Sequence, residues 1–267
     1  MTQRSTRAKK RRKSVAPPET LQIIGLKTLP EVRPGDDLAR LVVEAAEREG
    51  AGLRRGDVVV LAQKIVSKAE GCIVDLARVK PSLLARAWAR KVRNDPRLIE
   101  VVLRQSQRIL RMDERVMITE TRHGFVCANA GVDRSGVAGR HRVTCLPPDP
   151  DKSAKRFAAG IRRRLGITVA AIVSDTFGRP WRLGLVNVAI GAAGLRVLED
   201  LRGTRDAYGH PLRATILAVG DELAAAAGLA MGKREGVPAV ILRGVRFRAG
   251  DGRARQLIRP AGEDMFR

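Results

Sequence analysis

Two short polar segments carry the residues best suited to holding a metal-bound phosphate. One is NAGVDRSG at residues 129–136, where Asp133 lies among small residues, and the other is SDTFGR at residues 174–179, where Asp175 and Thr176 follow an apolar run. Carboxylate and hydroxyl oxygens at the end of a strand ligate Mg²⁺ or Mn²⁺, and backbone amides of a small-residue loop can approach phosphate. Ordinary turn and capping chemistry is the alternative interpretation of both segments.

Basic side chains suited to the oxygens of a nucleotide or an acidic substrate occur at two places. Arg179 and Arg182 end the second segment, and their planar guanidinium groups match carboxylate or phosphate. Lys64 and Lys68 follow the predicted strand 56–61 and can neutralise phosphate as point charges. The lysine segment lacks the G-x-x-x-x-G-K-[ST] spacing of the usual phosphate-binding loop, so solvated lysines are the alternative.

A glycine-punctuated loop, MGKREGVP at residues 231–238, is a further candidate to close over a nucleotide. It follows a small-residue helix predicted at residues 221–231, so a simple helix-ending turn is the alternative.

The histidines and cysteines show no shared ligand spacing, which indicates neither a zinc site nor a disulfide framework. These residues are His123, His141, His210, Cys72, Cys127 and Cys145.

The elements that must position these residues mix helix and strand without regular alternation. Apolar periodicity predicts helices at residues 38–48, 80–110 with a break at 94–96, 152–165 and 221–231. Continuous or alternating apolar runs predict strands at 21–26, 56–61, 169–173, 214–219 and 239–242, with a hairpin within 116–129. Because a doubly wound sheet requires regular alternation, we expect an α+β fold in two closely associated parts.

Composition also divides the chain into three stretches. Residues 1–18 combine Lys and Arg with Ser, Thr and Pro, which predicts a disordered basic tail. Residues 19–248 form the predicted globular domain, with a possible internal boundary at the proline-rich residues 147–150. Residues 249–267 are left as a C-terminal extension.

Charge and hydropathy limit the possible partners. The chain has 51 Lys and Arg against 28 Asp and Glu, a formal net charge of +23, which keeps a basic RNA-binding protein as an alternative. Aromatic residues make up only 3% of the chain and leave few surfaces for base stacking, so a nucleic-acid partner is disfavoured. No apolar run approaches the roughly 20 residues of a membrane-spanning helix, and no signal peptide is evident, so we expect a cytoplasmic protein without a membrane partner.

Five ordered segments together resemble the signatures of the F420-0:gamma-glutamyl ligase family. They are LPEVRPGDD at residues 29–37, IVSKAEG at 65–71, AGVD at 130–133, SDTFGR at 174–179 and PAVILRG at 238–244. The resemblance implies the family's own fold and a homodimer with its site near the interface. It also implies a GTP-dependent ligase that joins L-glutamate to the coenzyme F420-0 precursor, using two Mg²⁺ or Mn²⁺ ions and with K⁺ as a stimulating ion.

The resemblance also assigns roles to residues of this chain. It implies that the metal ligands are Asp133, Asp175 and Thr176. It implies nucleotide contacts from Leu29, Pro30, Gln63, Lys64, Lys68, Gly136, Met231, Gly232 and Lys233. Arg179 and Arg182 join Asp133 and Asp175 as catalytic candidates, because two guanidinium groups suit an anionic precursor.

The chain departs from the family pattern at three places that bear on the nucleotide. Thr28 stands where the family usually has Gly, Gln63-Lys64 where it often has Ser-Thr, and Gly136 where it commonly has Asn. These departures concern guanine preference and nucleotide affinity rather than metal chemistry. A related ATP-grasp-like amide ligase acting on another acidic substrate is therefore a second alternative.

Overall fold

The computed structural model describes residues 20–114, 116–136, 139 and 141–264, so the predicted basic tail lies outside the described residues. In chain order the strands are β1 (Gln22–Leu26), β2 (Val58–Ala62), β3 (Ile73–Asp75), β4 (Ser106–Met112), β5 (Met117–Thr121), β6 (Val126–Ala128), β7 (Arg142–Thr144), β8 (Ala170–Arg179), β9 (Arg182–Ala193), β10 (Glu199–Asp200), β11 (Ile216–Leu217) and β12 (Ala239–Arg243). The α-helices are α1 (Leu38–Arg48), α2 (Gln63–Ala69), α3 (Leu83–Lys91), α4 (Pro96–Gln105), α5 (Pro150–Leu165) and α6 (Val219–Met231).

A mixed five-stranded sheet forms the first part of the fold, in the order β1-β12-β2-β8-β9. Strands β2 and β8 are parallel, and the other neighbours are antiparallel. Helices α1 and α5 pack on one face and α6 packs on the other, so β2 is buried on both faces. This explains its continuous apolar sequence, VVVLA, because a strand covered on both sides has no solvent-facing positions.

The second part lies between α2 and α5 in the chain and has its own core. Helices α3 and α4 pack there with the β3–β7 pair and the three-stranded sheet β4-β5-β6. Ile99, Val102, Met117 and Val143 are almost fully buried in this cluster. The chain returns to the first part where Asp149 caps α5, its Oδ1 accepting the Lys152 backbone N–H at 2.9 Å. The α+β architecture in two associated parts is thus confirmed.

Local capping signals account for the helices that the sequence predicted well. Helix α1 occupies the predicted residues 38–48 and begins at Asp37, whose Oδ1 accepts the backbone N–H of Arg40 at 3.2 Å. The predicted break at 94–96 is also present: Asp95 caps α4 by accepting the Arg97 N–H at 2.8 Å, and Pro96 occupies the first helical position. The predicted hairpin corresponds to β5 and β6.

Three predicted elements were wrong in extent. Residues 106–110 are not helical, because the hydroxyl of Ser106 donates to Val102 O at the end of α4 and β4 then pairs with β5. The strand predicted at 169–173 continues to Arg179, because β8 pairs with the unpredicted strand β9. The strand predicted at 214–219 is only Ile216–Leu217, since α6 already begins at Val219.

The described part of the C-terminal extension folds back onto both parts. Ala249 bridges to Leu195, and the Gly252 N–H donates to Leu195 O at 3.0 Å. Asp151 Oδ1 accepts the N–H groups of Ala192 and Ala254, each at 2.8 Å, and so joins β9, α5 and the extension. Within the described ranges, no helix has the length and apolar character needed to cross a membrane.

Candidate functional site

A cavity of about 340 Å³, called here the strand-end cavity, opens where the pairing of β2 with β8 ends at Ala62 and Ser174. It lies at the carboxyl end of β2, where the parallel pairing with β8 stops, and such strand ends are a common place for ligands in open sheets. The predicted residues that line it are Leu29, Pro30, Gln63, Lys64, Lys68, Gly136, Asp175, Thr176, Met231, Gly232 and Lys233. Segments far apart in the sequence therefore converge on one site.

Lys64 connects the start of α2 with the Asp133 loop. Its Nζ lies 2.9 Å from Asp133 Oδ2 and also contacts the hydroxyl of Ser135. Asp133 is held in turn by Ser135, whose backbone N–H donates to Oδ1 at 2.7 Å and whose hydroxyl donates to Oδ2 at 3.0 Å. The carboxylate of Asp133 is thus fixed at the edge of the cavity although Asp133 itself is not among the lining residues.

An unusual backbone conformation positions Asp133. Asn129, Ala130 and Gly131 have φ angles of 51°, 53° and 69°, three successive residues in the left-handed region. Any Cβ on Gly131 would lie 2.7 Å from the side chain of Leu146, so only glycine fits there. Reciprocal backbone hydrogen bonds between Asp133 and Thr144, at 3.0 and 2.8 Å, hold the end of the loop against the second part of the fold.

Thr176 and its neighbours form another part of the wall of the strand-end cavity. The hydroxyl of Thr176 is 3.1 Å from Asn187 Oδ1 on β9 and accepts a hydrogen bond from Lys233 Nζ at 2.5 Å. The backbone N–H of Thr176 donates to Asp175 Oδ1 at 2.7 Å. Asn187 lies across the β8–β9 pair from Thr176 and places its amide nitrogen 3.4 Å from Met231 Sδ. A single cluster of polar side chains therefore links β8, β9 and the end of α6.

The two carboxylates of the site have opposite pKa shifts. Burial raises the pKa of Asp175 to about 6, and the negative charge of Asp133 adds to this effect while Lys233 and Lys64 oppose it. Burial also acts to raise the pKa of Asp133, but hydrogen bonds from Ser135 and Lys64 outweigh it and lower that pKa below its ordinary value. Asp133 is thus firmly ionised, whereas Asp175 binds a proton more readily until a cation approaches.

The loop after β1 supplies the apolar edge of the cavity through Leu29 and Pro30. Lys68, which is only 7% exposed, lies below this loop with its Nζ 2.6 Å from Glu31 Oε1. Thr28 is not among the lining residues. Its N–H and hydroxyl donate to Glu49 at 2.7 and 2.9 Å, so this departure from the family pattern faces the end of α1.

Gln63 and Gly136 contribute to the cavity in different ways. The side chain of Gln63 is buried, and its Nε2 donates to Ser67 Oγ at 2.6 Å and to the carbonyl of Cys145 at 3.2 Å. It therefore braces α2 against the second part of the fold. Gly136 has a φ of 70°, and a Cβ there would lie 3.4 Å from Lys64 Cδ, directly beside the ammonium of that lysine.

The glycine loop after α6 adds Lys233 to the cavity, and a hydrogen-bonded backbone turn holds this residue. Gly232 has a φ of 55°, and Glu235 Oε2 accepts the backbone N–H groups of Lys233 and Arg234, each at 2.8 Å. The turn directs Lys233 back towards Thr176. This loop thus brings a second ammonium group close to Asp175, in addition to that of Lys64.

Arg179 and Arg182 are not among the residues that line the strand-end cavity. They lie at the exposed tip of the β8–β9 hairpin, where the guanidinium group of Arg179 donates to Leu183 O at 2.7 Å. Their role towards an acidic substrate stays a prediction.

Sequence analysis missed four polar residues that the fold brings to the cavity, namely Glu31, Ser135, Ser174 and Asn187. Glu31, Ser135 and Ser174 lie inside segments already singled out, so their presence in those segments was the available signal. Asn187 lies on β9, and the unpredicted pairing of that strand hid it.

The donor set of the cavity suits a hard divalent cation. Among the residues that the structure describes, no three His, Cys, Asp or Glu side chains cluster as a metal site. Mg²⁺ and Mn²⁺ nevertheless take few protein ligands, prefer oxygen and usually keep several waters. The carboxylates of Asp133 and Asp175 and the hydroxyl of Thr176 provide such oxygens. Lysine ammonium groups already contact two of these residues, which indicates that a positive charge is favoured there.

Comparison with known proteins places the chain in a family. The sequence model of the family described as F420-0:Gamma-glutamyl ligase matches residues 25–244. The chain is 47% identical over 254 residues to the coenzyme F420:L-glutamate ligase of Methanopyrus kandleri, covering 93% of this chain and 98% of that protein. It is 46% identical over 250 residues to the protein of the same name from Methanothermobacter thermautotrophicus, covering 92% and 99%. This chain therefore belongs to the F420-0:Gamma-glutamyl ligase family.

Proposed function

We propose that this chain is a coenzyme F420-0:L-glutamate ligase that uses GTP and a divalent metal ion to form an amide between L-glutamate and a carboxylate of the precursor. The names of its relatives and the family match support the ligase reaction. One observation carries the nucleotide and metal dependence: Asp133, Asp175 and Thr176 meet three lysines around one cavity.

The reaction requires activation of a carboxylate, which is a poor electrophile. Transfer of the γ-phosphoryl group of GTP to an oxygen of the precursor carboxylate breaks the bond between the γ-phosphorus and the bridging oxygen, and it yields an acyl phosphate and GDP. The amine of glutamate then attacks the acyl carbon and expels phosphate, with loss of a proton from nitrogen. Phosphoryl transfer is chiefly a matter of positioning and electrostatics, which suits a site made of carboxylates and ammonium groups.

Named residues have distinct parts in this proposal. Asp133, Asp175 and Thr176 hold the divalent cation, which when bound neutralises charge on the transferring phosphoryl group. Lys64 beside Asp133 and Lys233 beside Thr176 orient phosphate oxygens as point charges. Leu29 and Pro30 provide an apolar wall for the base or sugar. Stimulation by K⁺ and the use of two divalent ions remain expectations from the family.

We further propose that the active form is a homodimer built on the β8–β9 hairpin. Trp181, Leu183 and Leu185 are 86%, 97% and 67% exposed near the tip of this hairpin. Such a concentration of large apolar side chains on one projecting element is typical of a contact surface. In such a dimer, Arg179 and Arg182 at the hairpin tip would lie at the contact between the two copies.

We also propose that the protein acts in the cytoplasm. The free thiols of all three cysteines suit that reducing compartment.

Two experiments test these proposals. The full-length protein is incubated with F420-0, L-glutamate, Mg²⁺ and either GTP or ATP, and the product is measured by mass spectrometry. A one-glutamate mass increase with GTP supports the proposed reaction. Turnover of F420-0 with ATP alone contradicts the GTP dependence but keeps the ligase reaction. The absence of product from F420-0 with either nucleotide favours the related amide ligase on another acidic substrate, and tight, salt-dependent RNA binding without turnover favours the RNA-binding alternative.

Light scattering after size exclusion tests the dimer. Leu183→Glu is expected to give monomers, because a charge cannot be buried unpaired in an apolar contact. Leu83→Glu is the matched control, since Leu83 is 84% exposed at the start of α3, in the second part of the fold. A Leu183→Glu variant that keeps the molecular mass of the wild type contradicts the hairpin interface.

A further inference from the structure

A second and larger cavity lies outside the site described above. It has a volume of about 810 Å³ and is called here the basic cavity. The β5–β6 hairpin forms one wall, the first turn of α5 another, and the C-terminal segment 253–261 the third. The C-terminal segment is held in place by Asp151, which accepts the Ala254 N–H, and by Ile258, which approaches Gly124 in the hairpin turn.

The side chains that line the basic cavity carry a net positive charge. Six Lys or Arg side chains and three Asp or Glu side chains line it, an excess of three positive charges, whereas three lysines face two acidic residues in the strand-end cavity. The acidic groups already have partners. Glu120 pairs with Arg108 at 2.5 Å, Asp149 accepts the Lys152 N–H, and Asp151 accepts two backbone N–H groups.

Most of the basic side chains, by contrast, form no salt bridge within 4 Å in the described part of the chain, although the charge of Arg253 acts on Asp251. Lys155 pairs with Asp251 at 2.6 Å. Across the described ranges, the remaining five form no ion pair, and they converge on the cavity from three different elements: Arg122, Lys152, Arg253, Arg255 and Arg259. Unpaired cations around a concave surface create a positive potential that attracts an anion.

Phe125, the residue before β6, connects the basic cavity to the strand that carries Asp175. Phe125 lines the cavity, and its ring meets Phe177 edge-on with centroids 6.3 Å apart. Phe177 lies two residues after Asp175 on β8. Cys127 follows Phe125 by two residues and lies on β6, and the negative charge of Asp175 acts on the Cys127 thiol. The chain then passes through Asn129–Gly131 to Asp133.

The volumes of the two cavities indicate which substrate each could hold. Sites for one ligand of ordinary size occupy about 300–1,000 Å³, so a strand-end cavity of about 340 Å³ has room for one large substrate. The proposed reaction uses two large substrates. They are a nucleotide and a deazaflavin precursor, and the precursor must carry a carboxylate. The basic cavity is large enough for the second, and His123 and Phe125, whose rings stack with centroids 5.9 Å apart, are both part of its wall.

We propose that the basic cavity binds the acidic acceptor of the ligase reaction, with its anionic groups held by Arg122, Arg255 and Arg259, while the nucleotide occupies the strand-end cavity. The proposal rests on the proposed function for the identity of the acceptor. It assigns acceptor binding to residues that no motif singled out, and it places the C-terminal segment in the substrate site.

Steady-state kinetics of the full-length protein tests this assignment with F420-0 as the acceptor. Each arginine removed takes away a charge-assisted contact, so Arg255→Ala/Arg259→Ala is expected to raise the KM for F420-0 at least about tenfold. The KM for GTP should change less than about twofold. Arg122→Ala, on a different element, should act in the same direction. The matched control is Arg86→Ala/Arg90→Ala on α3, which removes the same charge from exposed positions outside both cavities.

The possible outcomes are distinct. An active Arg255→Ala/Arg259→Ala variant with an unchanged KM for F420-0 overturns the cavity assignment but leaves the ligase function intact. An equal rise in the KM values for F420-0 and GTP also overturns it, because the cavity then does not distinguish the substrates. A wild-type protein that forms no product with F420-0, glutamate and GTP overturns the proposed function and this occupant together. Loss of RNA affinity in the variant, with the KM for F420-0 unchanged, assigns the cavity to a nucleic acid instead.

Discussion

Lys64 Nζ and Asp133 Oδ2 lie 2.9 Å apart and join the start of α2 to the loop that follows β6. Their side chains are 30% and 42% exposed, so the pair is solvated and contributes little to the stability of the fold. Its importance is local: the carboxylate proposed to hold the divalent cation is paired with an ammonium group proposed to orient phosphate.

Asp133→Asn should therefore impair activity without unfolding the protein. A neutral amide cannot replace a carboxylate facing Mg²⁺, and we expect turnover at limiting Mg²⁺ to fall at least about 100-fold. The free energy of unfolding should change by less than about 1 kcal/mol. Asp200→Asn is the control, because Asp200 pairs with the exposed Arg202 and does not line the strand-end cavity. Full activity of Asp133→Asn at limiting metal contradicts the assignment.

The raised pKa of Asp175 predicts a pH-dependent stability in protein treated with a chelator. The folded-state pKa of about 6 exceeds the ordinary value of 3.8, so the folded state binds more protons between these pH values. The free energy of unfolding should consequently fall as the pH rises from about 4 to about 6, by roughly 1–3 kcal/mol, and then level off. Urea denaturation across this range measures it.

Asp175→Asn gives the matched comparison for that titration. The variant cannot ionise at residue 175, so it should lack this contribution and be more stable than the wild type above pH 6, while losing turnover. Identical pH profiles of unfolding free energy for the two proteins would show that Asp175 titrates normally.

Substitutions at Gly136 separate backbone strain from nucleotide contact. Gly136 has a φ of 70°, which Asn adopts more readily than Ala. Gly136→Ala should cost about 1 kcal/mol of stability, whereas Gly136→Asn should cost less. The Asn side chain, beside Lys64, should also restore a hydrogen bond to GTP worth about 0.5–1.5 kcal/mol, or roughly two- to tenfold in affinity. Calorimetric titration with GTP and ATP measures this gain, and an unchanged affinity in a folded variant rules out the contact.

Deletion of residues 1–18 should leave the fold and the catalytic rate nearly unchanged. The family match begins at residue 25, and the composition of the segment offers almost nothing for core packing. Thermal denaturation and the turnover assay measure both quantities on the shortened chain. A fall in melting temperature of more than about 4 °C corresponds to roughly 1–2 kcal/mol and contradicts the prediction.

Sequence reasoning succeeded where local signals determine the structure and failed where distant pairing does. Asp37 and the apolar period after it define α1, and the Asn94-Asp95-Pro96 break separates α3 from α4. Strand β9 contains three glycine or asparagine interruptions in RLGLVNVAIGAA, and its strand conformation follows from pairing with β8. This pairing brings Asn187 opposite Thr176, which no local pattern indicates.

Gln63 illustrates the same limit within the site. The family resemblance implied a nucleotide contact from Gln63, and the residue does line the cavity. The orientation of its amide depends on the carbonyl of Cys145, which is 82 residues away in the sequence. The sequence could therefore identify the segment that reaches the cavity but not which way each of its side chains points.

The three left-handed residues before Asp133 have a thermodynamic consequence for ligand recognition. A backbone segment with φ angles of 51°, 53° and 69° persists only because its surroundings force it to do so, here through Leu146 and Thr144. The conformational entropy of this loop is consequently lost during folding rather than during binding. A cation or phosphate that arrives at Asp133 meets a receptor whose shape is already fixed, so its association should proceed as lock-and-key docking on this side of the cavity, with little ordering of the chain.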